Sequence, residues 1–305
     1  MLRVILFLVT NLAVLVTVGI VFNLLGLEQL LYRQGIRINL EGMLFFCALM
    51  GMTGSLISLL MSKPVAKWTM GVYVIDRPRN ETEAWLLETV ARLARKAGIG
   101  MPEVGIFASP EPNAFATGWN KNNALVAVST GLFEVMDSSE IEAVLGHEIS
   151  HIKNGDMTTL ALIQGVLNTF VYFFSFIVSM LIAQLLFSRN QEEEGAGMGF
   201  AQSFVYYTIQ SVLQLLFGIL ATIVVMAFSR WREYRADAGG ARLTTREQMV
   251  SALEALRRCF EAGEIRGLPA SMRAFGIVGF LSLADLFRSH PPLEKRIERL
   301  LRARL

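Results

Sequence analysis

Four long stretches of this chain hold no Asp, Glu, Lys, Arg or His: residues 4–27, 42–62, 157–188 and 195–229. A bilayer-spanning helix needs about 20 predominantly apolar residues, and a helix satisfies its own backbone polar groups in hydrocarbon. The first three stretches meet that length directly, as does the apolar part of the fourth, about residues 204–228. Composition agrees: 53% of the 305 residues are hydrophobic and 18% are charged, against about 25% charged in a soluble domain. Mean hydropathy is +0.47. The first stretch is too long for a typical signal-peptide core and no small-residue cleavage site follows it, so an uncleaved anchor is expected.

The same stretches limit function. Ion pumps and proton-coupled transporters rely on ionisable groups at mid-membrane, and these runs have none. Their polar residues Gln164, Asn168, Gln210 and Gln214 are amides, expected to hydrogen-bond between helices, and Gly51 and Gly54 read as packing positions. A net charge of +2, from 28 basic and 26 acidic residues, is too even for a nucleic-acid binder. Cys47 and Cys259 have no paired spacing, so any metal is left to histidine and carboxylate.

Basic residues near the ends of apolar runs set orientation. Lys63 and Lys67 follow the second run, and Arg230, Arg232 and Arg235 follow the fourth. The expected organisation is transmembrane helices 1 and 2 in residues 1–62 and a cytoplasmic segment at 63–156. Transmembrane helices 3 and 4 then fill 157–229 around an external loop at about 189–203, and a cytoplasmic helical segment occupies 230–305. Two crossings after residue 156 return the chain to the face it left.

That return matters because of His-Glu-Ile-Ser-His at 147–151, which uses two of only three histidines. Four residues apart on a helix, His147 and His151 share a face and can present two imidazoles to one ion. Glu148, beside the first, is placed to act on a water at that ion. Asp137 with Glu140 forms a capping-box pattern at the start of the helix, and Asn154-Gly155 supplies its stop. Catalytic zinc takes three protein ligands, and with no third histidine near the motif the third should be a carboxylate. The topology points to residues 229–239, where Glu233 and Asp237 lie four apart: Glu233 as ligand, Asp237 as the acceptor that orients a ligand histidine. A solvated helix face pairing with Arg230 or Arg235 is the competing account of those two. The chemistry implied is zinc-assisted peptide hydrolysis.

Elsewhere the soluble part reads as mixed. Asn80 caps an amphipathic helix running to about Ala97 and ended by Gly98. Apolar runs at 72–75, 104–108 and 125–129 read as strands, 247–261 and 292–304 as helices, and 190–200 as a flexible external loop. Residues 113–118, after Pro110 and Pro112, read as a loop.

In this order, these motifs resemble the HtpX membrane metalloproteases, relatives of the CaaX prenyl-protein endopeptidases. The resemblance spans nearly the whole chain. It rests on the N-terminal span, Asn-Ala-Phe-Ala-Thr-Gly at 113–118, Leu-Val-Ala-Val-Ser-Thr-Gly at 125–131, residues 146–156, residues 229–239 and His-Pro-Pro-Leu-Glu-Lys-Arg at 290–296. It implies a membrane α-helical protein with four transmembrane helices and a cytoplasmic α+β, zincin-like catalytic domain built around the His-Glu-Ile-Ser-His helix. It supports His147, His151 and Glu233 as ligands of one zinc ion per chain and Glu148 as general base. The implied activity is endoproteolysis of unfolded or misassembled membrane proteins, in quality control and stress response, at the cytoplasmic face of the inner membrane. Self-cleavage is characteristic of such enzymes.

The resemblance also implies roles that the residues alone do not. Asn113, Ala114, Phe115 and Ala116 would lie beside the cleft, where an extended substrate could pair with a strand edge. His290, by itself a residue that opens a helix, would approach the active site as an oxyanion donor, with Arg296 nearby. Two other functions remain open at this point: processing of a single dedicated substrate, and a non-catalytic zinc-binding membrane scaffold.

Overall fold

A computed structural model describes residues 39–187, 196–261 and 290–303, together with Ile20 and Tyr32. All of the first apolar run but Ile20, the last residue of the third run, and residues 189–195 of the expected loop lie outside the described residues. In chain order the elements are α1 (Leu40–Thr69), β1 (Tyr73–Val74), α2 (Glu81–Ala97), β2 (Glu103–Phe107), β3 (Ala114–Asn120) and β4 (Asn123–Ser129). There follow α3 (Thr130–Val135), α4 (Ser138–Asn154), α5 (Asp156–Phe187), α6 (Ala196–Leu243), α7 (Arg246–Glu261) and α8 (Leu293–Arg302). The chain divides into two compact units, Met1–Leu56 with Ala161–Val224 and Ile57–Leu160 with Val225–Leu305.

Among the described residues, three helices are long and apolar enough to cross a membrane: Leu40–Thr69, Asp156–Phe187 and Gln202–Leu243. Helix α6 begins at Ala196, so residues 196–203 are helical where a loop was expected. In the first unit, Leu40, Leu44 and Cys47 of α1 bury against Phe173 of α5. Gly51 lies so close to α5 that a Cβ there would sit 2.7 Å from Thr169 N and 2.8 Å from Gly165 O, the small-residue contact typical of helices in lipid. Gly54, expected to do the same, faces open space. One amide pair also departs from expectation: Gln164 Nε2 donates to Asn168 Oδ1 at 2.9 Å, an i,i+4 pair within α5 rather than a bond between helices.

The second unit is built on a four-stranded sheet in the order β1-β2-β4-β3. Strands β2 and β4 are parallel and the other two pairs are antiparallel. Flanked on both sides, β4 is buried from Ala124 through Ser129, which explains its near-continuous apolar sequence. The 113–118 stretch departs from the loop reading: β3 is an edge strand, with Ala114 and Ala116 turned to the core and Phe115 beside Phe107 at a ring-centroid distance of 5.5 Å.

Helix α4 lies between two sets of partners. Ile141, Leu145, Ile149 and Ile152 recur at helical spacing and pack with Leu86, Val90 and Leu93 of α2 and Val126 and Val128 of β4. On its other side Ala143 meets Met249 and Leu253 of α7, with Ile297 and Leu300 of α8. The expected caps are present. Asp137 accepts from Ser139 N and Glu140 N while Glu140 returns a bond to Asp137 N, and Gly155 closes the helix at φ 64. Asn80 and Gly98 bound α2 in the same way. Lys63 and Lys67, the cations after the second apolar run, both pair with Glu103 at the start of β2.

Candidate metal centre

Helix α4 carries His147, Glu148 and His151, and α6 carries Glu233 and Asp237. These two helices approach unusually closely because α6 has Gly239 and Gly240 at the crossing. A Cβ on Gly239 would collide with Ser150 Oγ, and one on Gly240 would lie 3.0 Å from His147 N. Two side-chain-free positions thus bring Glu233 onto the histidine face of α4.

His147 Nε2, His151 Nε2 and a Glu233 oxygen all lie within 4.8 Å of one another, on three buried residues. The two Nε2 atoms are 3.1 Å apart. Glu233 Oε2 is 3.4 Å from His147 Nε2 and Oε1 is 3.2 Å from His151 Nε2. Three ligands bonded tetrahedrally at 2.0–2.1 Å from one ion would stand about 3.3 Å apart, so these spacings fit a metal of zinc's size.

The tautomers fit too. His151 Nδ1 is 2.7 Å from Asp156 Oδ2, and His147 Nδ1 is 2.9 Å from Asp237 Oδ1. A carboxylate at each Nδ1 favours N–H there and leaves both Nε2 lone pairs facing one another. Two facing acceptors, and a buried Glu233 Oε1 that accepts no hydrogen bond, call for a cation between them. Burial opposes charge on His147, but Asp237 and Glu233 outweigh it and raise its pKa to about 10, so a proton competes with a metal ion for this place. The site draws in positive charge.

The remaining expected residues divide. Glu148 is half-buried on α4. His290 has a side chain 60% exposed and its Nδ1 stands 2.7 Å from Glu233 Oε2, so it does approach the cluster. Arg296 is buried beside the cluster: its Nη1 stands 3.7 Å from Glu233 Oε2, and its guanidinium grips Asp237 at 2.9 Å from Nε and 2.6 Å from Nη2. It stands behind Asp237, the carboxylate beside His147 Nδ1. Asn113 bonds through its backbone to Ser129, and Ala114, Phe115 and Ala116 open β3. Asp156 went unrecognised in the sequence; its signal was an acid just past the helix stop, ahead of an uncharged run.

The model of peptidase family M48 matches residues 80–304. The chain belongs to peptidase family M48. Among curated M48 relatives, Protease HtpX of Thioalkalivibrio sulfidiphilus is 56% identical over 297 residues, covering 97% of each chain. Protease HtpX of Nitrosococcus oceani is 55% identical over 298 residues, again covering 97% of each. The fold of this M48 chain is similar to the crystal structure of Ste24p from S. mikatae, with a TM-score of 0.58 at 15% identity. That match covers 84% of this chain and 58% of the longer Ste24p chain. With the buried His-His-Glu cluster and the apolar helices, this M48 member is a membrane metalloendopeptidase.

Proposed function

We propose that His147, His151 and Glu233 hold one zinc ion per chain and that Glu148 is the general base for peptide-bond hydrolysis. The observation that carries this reading is the buried cluster of two imidazole nitrogens and one carboxylate oxygen, all within 4.8 Å, beside a half-buried Glu148. A zinc ion held there supplies Lewis acidity toward water and the scissile carbonyl. Glu148 accepts a proton from the attacking water as its oxygen bonds to the carbonyl carbon, and returns it to the amine as the C–N bond breaks. Asp237 and Asp156 fix the imidazoles, and Arg296 acts through Asp237 without touching substrate. His290, exposed beside Glu233, donates to the developing oxyanion.

Extended client segments add to the outer edge of β3 by main-chain hydrogen bonds, beginning at Asn113, Ala114, Phe115 and Ala116. Support comes from the edge position of β3 and its packing against α4. The clients are unfolded or misassembled membrane proteins, cleaved at the cytoplasmic face of the inner membrane in quality control and stress response; self-cleavage belongs to the same activity. The proposed topology has four transmembrane helices, with residues 63–156 and 230–305 forming the cytoplasmic, zincin-like catalytic part.

The test is cleavage of unrelated unfolded proteins by the zinc-loaded chain in detergent, beside Glu148→Gln with its zinc content measured. A loss of about 10²–10⁴-fold with zinc retained is expected. Equal activity in a zinc-bearing variant would remove Glu148 as base. Cleavage restricted to one protein would replace the quality-control role with dedicated processing.

A further inference from the structure

Behind the metal centre, the second unit has an open cleft of about 520 Å³ with an unusual charge balance, its free cations all on exposed residues. Six basic side chains line it (Lys96, Lys153, Arg235, Arg242, Arg296 and Arg299) against one acidic residue, Asp237. Arg296 is spent on Asp237, through bonds of 2.9 and 2.6 Å. Five cations remain, and none of them forms an ion pair with a carboxylate among the described residues.

Helix ends supply the ordinary explanation for such cations, and it falls short. The C-terminal turns of α2, α4, α6 and α8 all reach this cleft, and Lys96 Nζ donates to the terminal carbonyl of Leu243 at 2.6 Å. Each helix C-terminus carries about −0.5 of a charge, so four offset about two of the five cations and leave roughly +3. Arg235 and Arg299 are further occupied only by ring stacking, 4.8 Å over Trp231 and 4.3 Å over Tyr234. Such stacking shields a guanidinium face and leaves its N–H edge free to bind oxygen.

We propose that this cleft is a binding site for a phosphorylated ligand, a phosphate or diphosphate group held by Lys153, Arg242 and Arg299. The charge surplus matches one or two phosphate groups, and guanidinium forks match phosphate oxygens in geometry. The volume admits a headgroup or small soluble phosphate and is within the range of ligand pockets, about 300–1,000 Å³. The group can come from a lipid or from solution. The site adjoins the metal centre through Asp237 and Arg296, and its wall is the side of α4 bearing Ser150, Lys153 and Asn154.

The test is a calorimetric titration of the full chain in uncharged detergent with inorganic pyrophosphate. A second arm uses nanodiscs of phosphatidylcholine with and without phosphatidic acid. The Lys153→Ala/Arg242→Ala double variant leaves the Arg296–Asp237 pair intact. Both its changes are at exposed positions, and its melting temperature checks folding. Saturable pyrophosphate binding, weakened about tenfold or more in the double variant, is the expected result for a soluble phosphate. Retention of phosphatidic acid by the parent and not the variant is the expected result for a lipid source. Arg257→Ala/Arg302→Ala removes the same charge outside the cleft and should leave binding unchanged. Absence of saturable binding in both arms, or equal weakening by the two double variants, would overturn the proposal.

Discussion

Helices α4 and α5 are separated by a single residue, Gly155, yet they obey opposite rules of burial. Helix α4 buries charge: His147 is 6% exposed and His151 8%, each tied through Nδ1 to a carboxylate from another element. Helix α5 exposes apolar bulk, with Leu185 at 70% and Leu186 at 55%, and returns the hydroxyls of Thr159, Thr169 and Ser179 to the backbone one turn earlier. Thr169 Oγ1 donates to Gly165 O and Ser179 Oγ to Ser175 O. Polarity therefore does not decide what is buried; the available partner does. In α4 one partner, Asp156, sits just past the helix stop, while Asp237 and Glu233 are distant in sequence and the fold must bring them in. In α5 they are one turn away and the outer surface is left for lipid.

The contrast breaks first at buried aliphatics. Ile149 is fully buried where α4 meets the sheet, so Ile149→Ala should cost about 2–5 kcal/mol, whereas Leu185→Ala should stay within about 0.5 kcal/mol. Thermal melts of both variants in one detergent decide it; equal losses would mean that α5 packs as tightly as α4. Next comes Asp156, which belongs to both helices' boundary. Asp156→Asn should weaken zinc binding about 10–100-fold, because His151 loses the carboxylate that fixes its tautomer. Chelator competition measures this directly, and an unchanged affinity would take Asp156 out of the site.

What could be read without the structure follows the same division. Local signals were legible: the Asn80 and Asp137 caps, the Gly98 and Gly155 stops, three of the four strands and the positions, though not the lengths, of three apolar helices. That His147, His151 and Glu233 come together was legible because scarcity and the expected return of the chain both pointed to it. Strand β3 was hidden by the prolines before it and by an edge position that leaves only weak alternation. Gly239 and Gly240 look like any small residues, since their role is the space they leave for Ser150 and His147. Arg296 gripping Asp237, across 59 residues of sequence, depends on how α8 docks, which no periodicity records.

The smallest expected effect separates a cap's geometry from its charge. Asp137 holds the first turn of α4 through Glu140 N and Ser139 N, and these bonds lower its pKa below the ordinary carboxylate value. A depressed folded pKa contributes stability that is present above the unfolded value, near 4, and is lost as pH falls through the folded one. Asp137→Ala should therefore cost about 1 kcal/mol at neutral pH, a shift of about 2–4 °C in melting temperature, and less as the solution is acidified below pH 4. Asn caps helices about as well as Asp but does not titrate. Asp137→Asn should thus keep most of the neutral-pH stability while showing a flatter acid dependence between pH 5 and 3. If Asn melts as low as Ala at pH 7, the charge itself holds the helix that carries His147, and the local cap contributes little.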